Sequence, residues 1–322
     1  MTLATRFRSL TLPDALLAAG RNMARRLERA LVEAVTAVRD LALRVADHLP
    51  GRLGLGSAGS DVPAVAARDE SGPLLRLAAL AVPFLSVGLG VLSGTRGWFG
   101  PRIEDLSDRQ NSGILILPVN GAFSIWGAIY PGLLGLAAAQ AFGPGRDNPR
   151  YARARLPLIV NMIFNFVWFV ATQRERRLVS VAVLLGQFVT ALWLYLRLEI
   201  PRVRVGGLER LLRGSASLYA GWLTVASVIG IASALEFVGF SGLGLGAEVW
   251  AVVMLLACAA TGLLGRFRWR DPVYGAVFVW AFAGVAVKAG QPQSVVLTAW
   301  LLAAGVLVSL LPLVPQRGPV PA

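Results

Sequence analysis

Residues 156–196 read LPLIVNMIFNFVWFVAT (Leu156–Thr172), QRERR (Gln173–Arg177) and LVSVAVLLGQFVTALWLYL (Leu178–Leu196). A bilayer core is crossed by roughly 20 apolar helical residues, so each apolar run is a span near the short limit. Five polar residues cannot form a separate element between them, and the stretch is a tight helical hairpin. Scanning outward with the same window gives six more runs: Leu77–Gly94, Ala122–Phe142, Ser215–Leu235, Val249–Gly265, Pro272–Val287 and Val295–Leu313. The expected fold is therefore all-α, a polytopic transmembrane helical bundle of about eight spans. The seventh run is the least secure by length, because Lys288 closes it early.

Composition agrees with lipid as the main solvent. The 322 residues are 56% hydrophobic and 15% charged, against roughly 45–50% and 25% in soluble domains. The net charge of +13 rests on 31 basic residues, 30 of them Arg, scattered in short clusters between the apolar runs rather than gathered on one domain. That spacing fits topology control by loop charge better than nucleic-acid binding. On the side of the N-terminus lie Arg146, Arg150, Arg153, Arg155, Arg197, Arg202, Arg204, Arg210, Arg213, Arg266, Arg268, Arg270 and Arg317, thirteen in all. The other side has seven: Arg96, Arg102, Arg109, Arg174, Arg176, Arg177 and Lys288. The excess predicts both termini in the cytoplasm, with a bacterial cytoplasmic membrane as the expected site or else its organellar equivalent, and the Arg174–Arg177 loop is the exception to the pattern. One Cys and one His exclude a disulfide within the chain and a zinc site built on those residues.

Residues 1–73 differ in kind. Leu27, Leu31, Ala34, Val38, Leu41 and Val45 alternate steps of four and three, a single helical stripe between charged residues. Such an arm suits a membrane surface or a partner helix, and Gly51–Gly72 reads as a linker into the first span. Gly54, Gly56 and Gly59 match a dinucleotide-binding spacing but lack the strand that chemistry needs. Gly242, Gly244 and Gly246 lack a Lys nearby and read as a turn between spans. The single imidazole, His48, lies in the arm, so no Ser, His and acid can be assembled and no enzyme is expected. Gly90 and Gly94 permit close helix approach, for internal packing or for a homodimer.

Nine Trp are present. Interfacial anchoring covers Trp98, Trp193, Trp250 and Trp269. Others fall on particular faces: Phe123, Trp126 and Tyr130 share one face of the second span, Asn161, Asn165 and Trp168 one of the third, and Tyr219, Trp222 and Ala226 one of the fifth. An amide facing hydrocarbon is costly unless paired, so the Asn face points inward. Two readings stay open from spacing: the faces line an apolar pocket for a flat ligand, or they glue helices together, which is the commoner use. Glu236 and Lys288 fall at one membrane boundary, where they either pair or snorkel separately.

Ala122-Phe123-Ser124-Ile125-Trp126-Gly127-Ala128-Ile129-Tyr130 resembles the second-helix motif of the tryptophan-rich sensory proteins within the TspO/MBR (translocator protein) family. Asn165-Phe166-Val167-Trp168 resembles that family's third-helix N-x-x-W, and the run from Leu218 to Ala226 its fifth helix. Longer members share Val277-Phe278-Val279-Trp280-Ala281-Phe282 in an additional C-terminal part. The resemblance implies a five-helix bundle over residues 74–240, three further spans over 241–322, and a pocket for tetrapyrroles or sterol-like ligands beneath the loop Thr95–Gly121. By matching position it makes Trp126, Tyr130, Asn165, Trp168, Tyr219 and Trp222 pocket residues, to which the shared faces add Phe123 and Asn161. The family's Pro before the fifth-helix Tyr appears here as Ser215 or Leu218, and its later Asn as Gly230.

The expected protein is thus a membrane-embedded sensor, carrier or regulator that binds a hydrophobic small molecule, with a tetrapyrrole (porphyrin or haem) as candidate ligand and no required cofactor. A secondary transporter of an amphipathic solute and a scaffold recruiting a partner through the N-terminal arm are the alternatives. The bilayer is the one partner the composition demands.

Overall fold

Helix boundaries follow local chemistry. Pro73, Pro149 and Pro272 each open a helix, where the missing N–H is no loss and the fixed φ is already helical. Asn148 and Asp271 cap two of them: Asn148 accepts from the Arg150 N–H at 3.0 Å, and Asp271 from Val273 and Tyr274 at 2.9 and 3.1 Å. The computed structural model describes residues 72–311 except 112, 201, 204 and 241. The arm, with its Leu27–Val45 stripe, His48 and Gly54–Gly59, lies outside the described residues.

In chain order the helices are α1 (Pro73–Arg96), α2 (Ile103–Gln110), α3 (Trp126–Ala139, led by a 3-10 turn at Asn120–Ile125), α4 (Pro149–Gln173), α5 (Arg177–Arg197), α6 (Gly207–Phe237), α7 (Ala247–Arg268), α8 (Pro272–Ala286) and α9 (Gln293–Leu310). The described residues contain no strand. The protein is a polytopic helical membrane bundle. Helices stand at all eight positions expected from the apolar runs, with α2 as an extra short one in the first loop. Among the described residues seven are long and apolar enough to cross a membrane, α3 being counted with its 3-10 turn as Asn120–Ala139, 20 residues. Besides the short α2, this leaves α8, which has 15 residues and at 1.5 Å per residue reaches about 22 Å, short of a bilayer core of about 30 Å.

α1, α4, α5, α6 and α3 each pack on the next in that order, and α3 returns to α1, which closes a five-helix ring. α8 leans on the outer side of α6, and α7 and α9 pack around α8. α6 therefore belongs to both groups. Hydropathy underestimates it: the helix begins at Gly207, two turns before the apolar run at Ser215, because Arg210 and Arg213 interrupt the apolar pattern without breaking the helix. Arg213 is buried and donates to the Val203 carbonyl at 2.9 Å.

Glycines set the closest approaches. A Cβ on Gly90 would lie 2.6 Å from the Phe169 ring, and one on Gly94 at 3.0 Å from it. Their spacing thus serves α1–α4 packing inside one chain. The second glycine cluster is the expected turn, with φ of 75° at Gly242 and 83° at Gly244, values that side chains disfavour.

Candidate functional site

The expected site residues are carried by α3 and the turn that leads into it, by α4 and by α6. Phe123 occupies the 3-10 turn rather than α3 itself, since Asn120-Gly121 delays the α-helix until Trp126. It still reaches the same place: its ring meets Trp222 edge-on at 5.6 Å. Trp126 stacks on Tyr130 at 4.8 Å and 22°, and meets Tyr219 at 6.0 Å and Trp222 at 6.5 Å edge-on. Tyr219 and Trp222 are fully buried, while Phe123, Trp126 and Tyr130 are half-buried. The cluster thus has a rim contributed by the approach to α3 and a floor contributed by α6.

A polar layer lies under the rings. Asn161, with no exposed surface, donates to the Gln187 carbonyl at 2.7 Å and to Thr190 Oγ1 at 2.9 Å. Its Oδ1 accepts the Tyr219 hydroxyl at 2.7 Å, and that hydroxyl accepts from Gln187 Nε2, also at 2.7 Å. Asn165 donates to the Tyr130 hydroxyl at 3.3 Å and accepts from Ser86 Oγ of α1 at 3.2 Å. The inward orientation of both amides follows, because each finds partners that hydrocarbon does not supply. The two amides part company in use: Asn161 joins α4 to α5 and α6, and Asn165 joins α4 to α1 and α3.

Seven of the eight expected residues are connected through ring contacts or hydrogen bonds. Trp168 stands apart. It is half-buried and its ring contact is with Phe169, edge-on at 5.3 Å. Sequence reasoning missed Gln187, Thr190 and Ser86, which satisfy the amides. The available signal was a pair of polar residues, Gln187 and Thr190, three apart in an otherwise apolar run.

Trp250 and Trp269 do more than anchor an interface. The Trp250 indole donates to the Gly242 carbonyl at 2.7 Å, and Trp269 packs against Tyr195 and Tyr274 at 5.5 and 5.2 Å. The C-terminal helices are fastened to the ring beside the aromatic cluster. Trp280 of α8 donates to the Ala122 carbonyl at 2.8 Å, and the Val119 N–H to the Gly284 carbonyl at 2.9 Å. A Cβ on Gly284 would meet Pro118 and Ala122 at 2.9 and 3.0 Å. Tyr195 of α5 donates to Asp271 at 2.8 Å, and Thr224 of α6 bonds the Tyr274 hydroxyl at 2.9 Å. The segment that carries the Phe123–Trp126 rim is therefore held from outside by α8.

A family model described as TSPO-like protein matches residues 76–312. The chain belongs to this family. No curated protein and no solved structure matches it. The TSPO-like match runs through α9, so the three C-terminal helices are part of what is shared and not an appendage to it.

Within this TSPO-like fold the two sequence departures have steric counterparts. Ser215 meets Gly132 of α3, where a Cβ would lie 1.8 Å from the Ser215 Oγ, so α3 and α6 touch with almost no side chain between them. At Gly230 a Cβ would lie 2.9 Å from Leu184 of α5. A larger side chain at that position would displace Leu184.

At the opposite end of the bundle from the α6–α7 turn, the start of α4 pairs by charge with the loop that follows α5. Glu199 accepts from Arg150 and Arg153, each at 2.9 Å. Partial burial opposes its ionisation, but the two guanidiniums outweigh that and hold its carboxyl below the usual carboxylate range.

Proposed function

We propose that this TSPO-like membrane protein binds a flat apolar ligand of the tetrapyrrole type at the Phe123–Trp126–Tyr130–Trp222 cluster, and works as a sensor, carrier or regulator of that ligand. The observation that carries the reading is the stack of Trp126 on Tyr130 at 4.8 Å over the buried Trp222 and Tyr219. Rings that stack on each other are replaceable by a planar macrocycle that stacks on them instead, because the exchange keeps π contact and apolar burial. Trp126 and Tyr130 are half-buried, so they can move without unpacking the floor.

The indoles and amides of the cluster suit the face of a macrocycle. For a central iron it offers no imidazole or thiolate, and its two phenols, Tyr130 and Tyr219, are engaged in the polar layer. The Asn165–Tyr130 hydrogen bond at 3.3 Å is the longest in the polar layer and the one a ligand would exchange most readily.

The test is a titration of the purified full chain in nanodiscs with metal-free protoporphyrin, read by Trp quenching. Trp126→Ala is expected to weaken binding about tenfold, equivalent to about 1.4 kcal/mol, and Asn165→Ala to weaken it less. Affinity unchanged in both variants would refute the site.

A further inference from the structure

We propose a second, separate ligand site between α6 and α7 that takes a small lipophilic organic cation. A cavity of about 280 Å³ opens there, away from the ring interior, and none of the eight residues discussed above lines it. Its walls are Ile114 from the segment before α3, Leu235 and Glu236 from α6, Phe240 from the turn, and Trp250 and Met254 from α7. The volume is near the lower end of small-molecule sites, about 300–1,000 Å³.

The cavity has a structural cause. α6 leans on α8, and α7 leans on α8 and α9, so the two sequence neighbours diverge from the turn that joins them. Gly239, Gly242 and Gly244 reverse the chain with φ of 78°, 75° and 83°. The Trp250 N–H is spent on the Gly242 carbonyl at 2.7 Å, which fixes the indole and satisfies its one polar atom. Phe240 meets that indole edge-on at 5.7 Å. The result is a rigid aromatic corner in an apolar wedge.

The charge decides the class of ligand. Glu236 is the one ionisable residue in the lining. It packs against the Gly113 backbone, where a Cβ would lie 2.2 Å from its Oε1. It has no ion pair or hydrogen bond among the described residues, and the pairing with Lys288 admitted by the sequence does not form. At the same end Arg177 stacks over the Phe237 ring at 5.0 Å, on the neighbouring position of α6. A carboxylate without a partner beside two aromatic rings complements an ammonium group, by charge and by cation–π attraction, while the apolar walls accept its hydrocarbon body. Met254 and Ile116 also line a much smaller void of about 10 Å³ deeper between the helices. The flexible Met254 side chain is a floor that can yield to a longer body.

The probe is naphthylmethyl-trimethylammonium, whose charge does not depend on pH, with its uncharged carbon isostere as the companion. Calorimetric titration of the full chain in nanodiscs is expected to show saturable binding of the cation. Glu236→Gln should weaken it at least tenfold and leave the neutral isostere unaffected, and Ala232→Phe, which fills the cavity, should abolish both. Trp126→Ala should change neither, so failure of the tetrapyrrole site and failure of this one are separable. Glu236 is exposed, and its Gln variant should keep the wild-type unfolding midpoint. No binding to the wild type, or equal binding to Glu236→Gln, would overturn the proposal. Equal affinity for cation and isostere would also overturn it, and would mark the cavity as a place for lipid chains.

Discussion

Removing one oxygen from the centre of the polar layer tests whether hydrogen bonds organise the ring. In Tyr219→Phe the aromatic ring stays, with its edge contact to Trp126 at 6.0 Å. Two hydrogen bonds go: the donation to Asn161 Oδ1 and the acceptance from Gln187 Nε2, both 2.7 Å long. At about 0.6 kcal/mol for an average bond between membrane helices, the loss is at least about 1.2 kcal/mol. The site is fully buried, so a Gln187 N–H and an Asn161 lone pair are left without partners. Such orphaned groups cost about 1–3 kcal/mol, and the expected total is about 1.5–3 kcal/mol. The assay is reversible unfolding in mixed micelles of dodecyl maltoside and SDS, followed by Trp emission and far-UV circular dichroism. A double-mutant cycle with Asn161→Leu should show a combined loss smaller than the sum, because deleting both groups leaves fewer orphans. A Tyr219→Phe protein within about 0.3 kcal/mol of wild type, or strictly additive losses, would refute the reasoning, since neither is compatible with two short buried bonds.

Gly90→Ala should destabilise the chain by about 1–3 kcal/mol in the same assay, as expected for overpacking, because its Cβ would lie 2.6 Å from the Phe169 ring; Phe169→Leu in the same chain should recover most of the loss. The Glu199 staple predicts acid sensitivity. Its carboxyl is held below the unfolded range by Arg150 and Arg153, so its contribution is complete above the unfolded value of about 4.3 and disappears as pH falls through the lower folded value. Glu199→Gln should therefore flatten the fall of stability below about pH 4.3, measured as unfolding midpoints across a pH series.

Much of the bundle was legible because lipid imposes one simple demand. A run of apolar residues such as Leu178–Leu196 needs a helix whatever its neighbours are, since every backbone group must be satisfied within the segment. Boundaries were less legible where charge sits inside a helix. Arg213 looks like loop charge, yet it is buried in α6 and bonded to the Val203 carbonyl, a partner that hydropathy cannot see. The aromatic faces were legible as faces. That Phe123, Trp126 and Tyr130 meet Trp222 and Tyr219, and that Trp168 does not join them, depends on how α3 and α6 are set against each other.

By itself, then, the sequence determined which segments enter the membrane, that the Asn161 and Asn165 amides turn inward, and that the aromatic motifs are those of the TSPO-like family. The first two follow from solvation, which acts on each residue where it stands, and the third is a resemblance of motifs. Only the tertiary structure decided that Gln187 and Thr190 complete the Asn161 layer, that α8 clamps the rim through Trp280, and that α6 and α7 part to leave Glu236 beside Trp250. Those outcomes rest on contacts between helices, such as the approach of α8 to Pro118 and Ala122 that Gly284 permits. They join residues far apart in the chain, and their geometry exists only once the helices are packed.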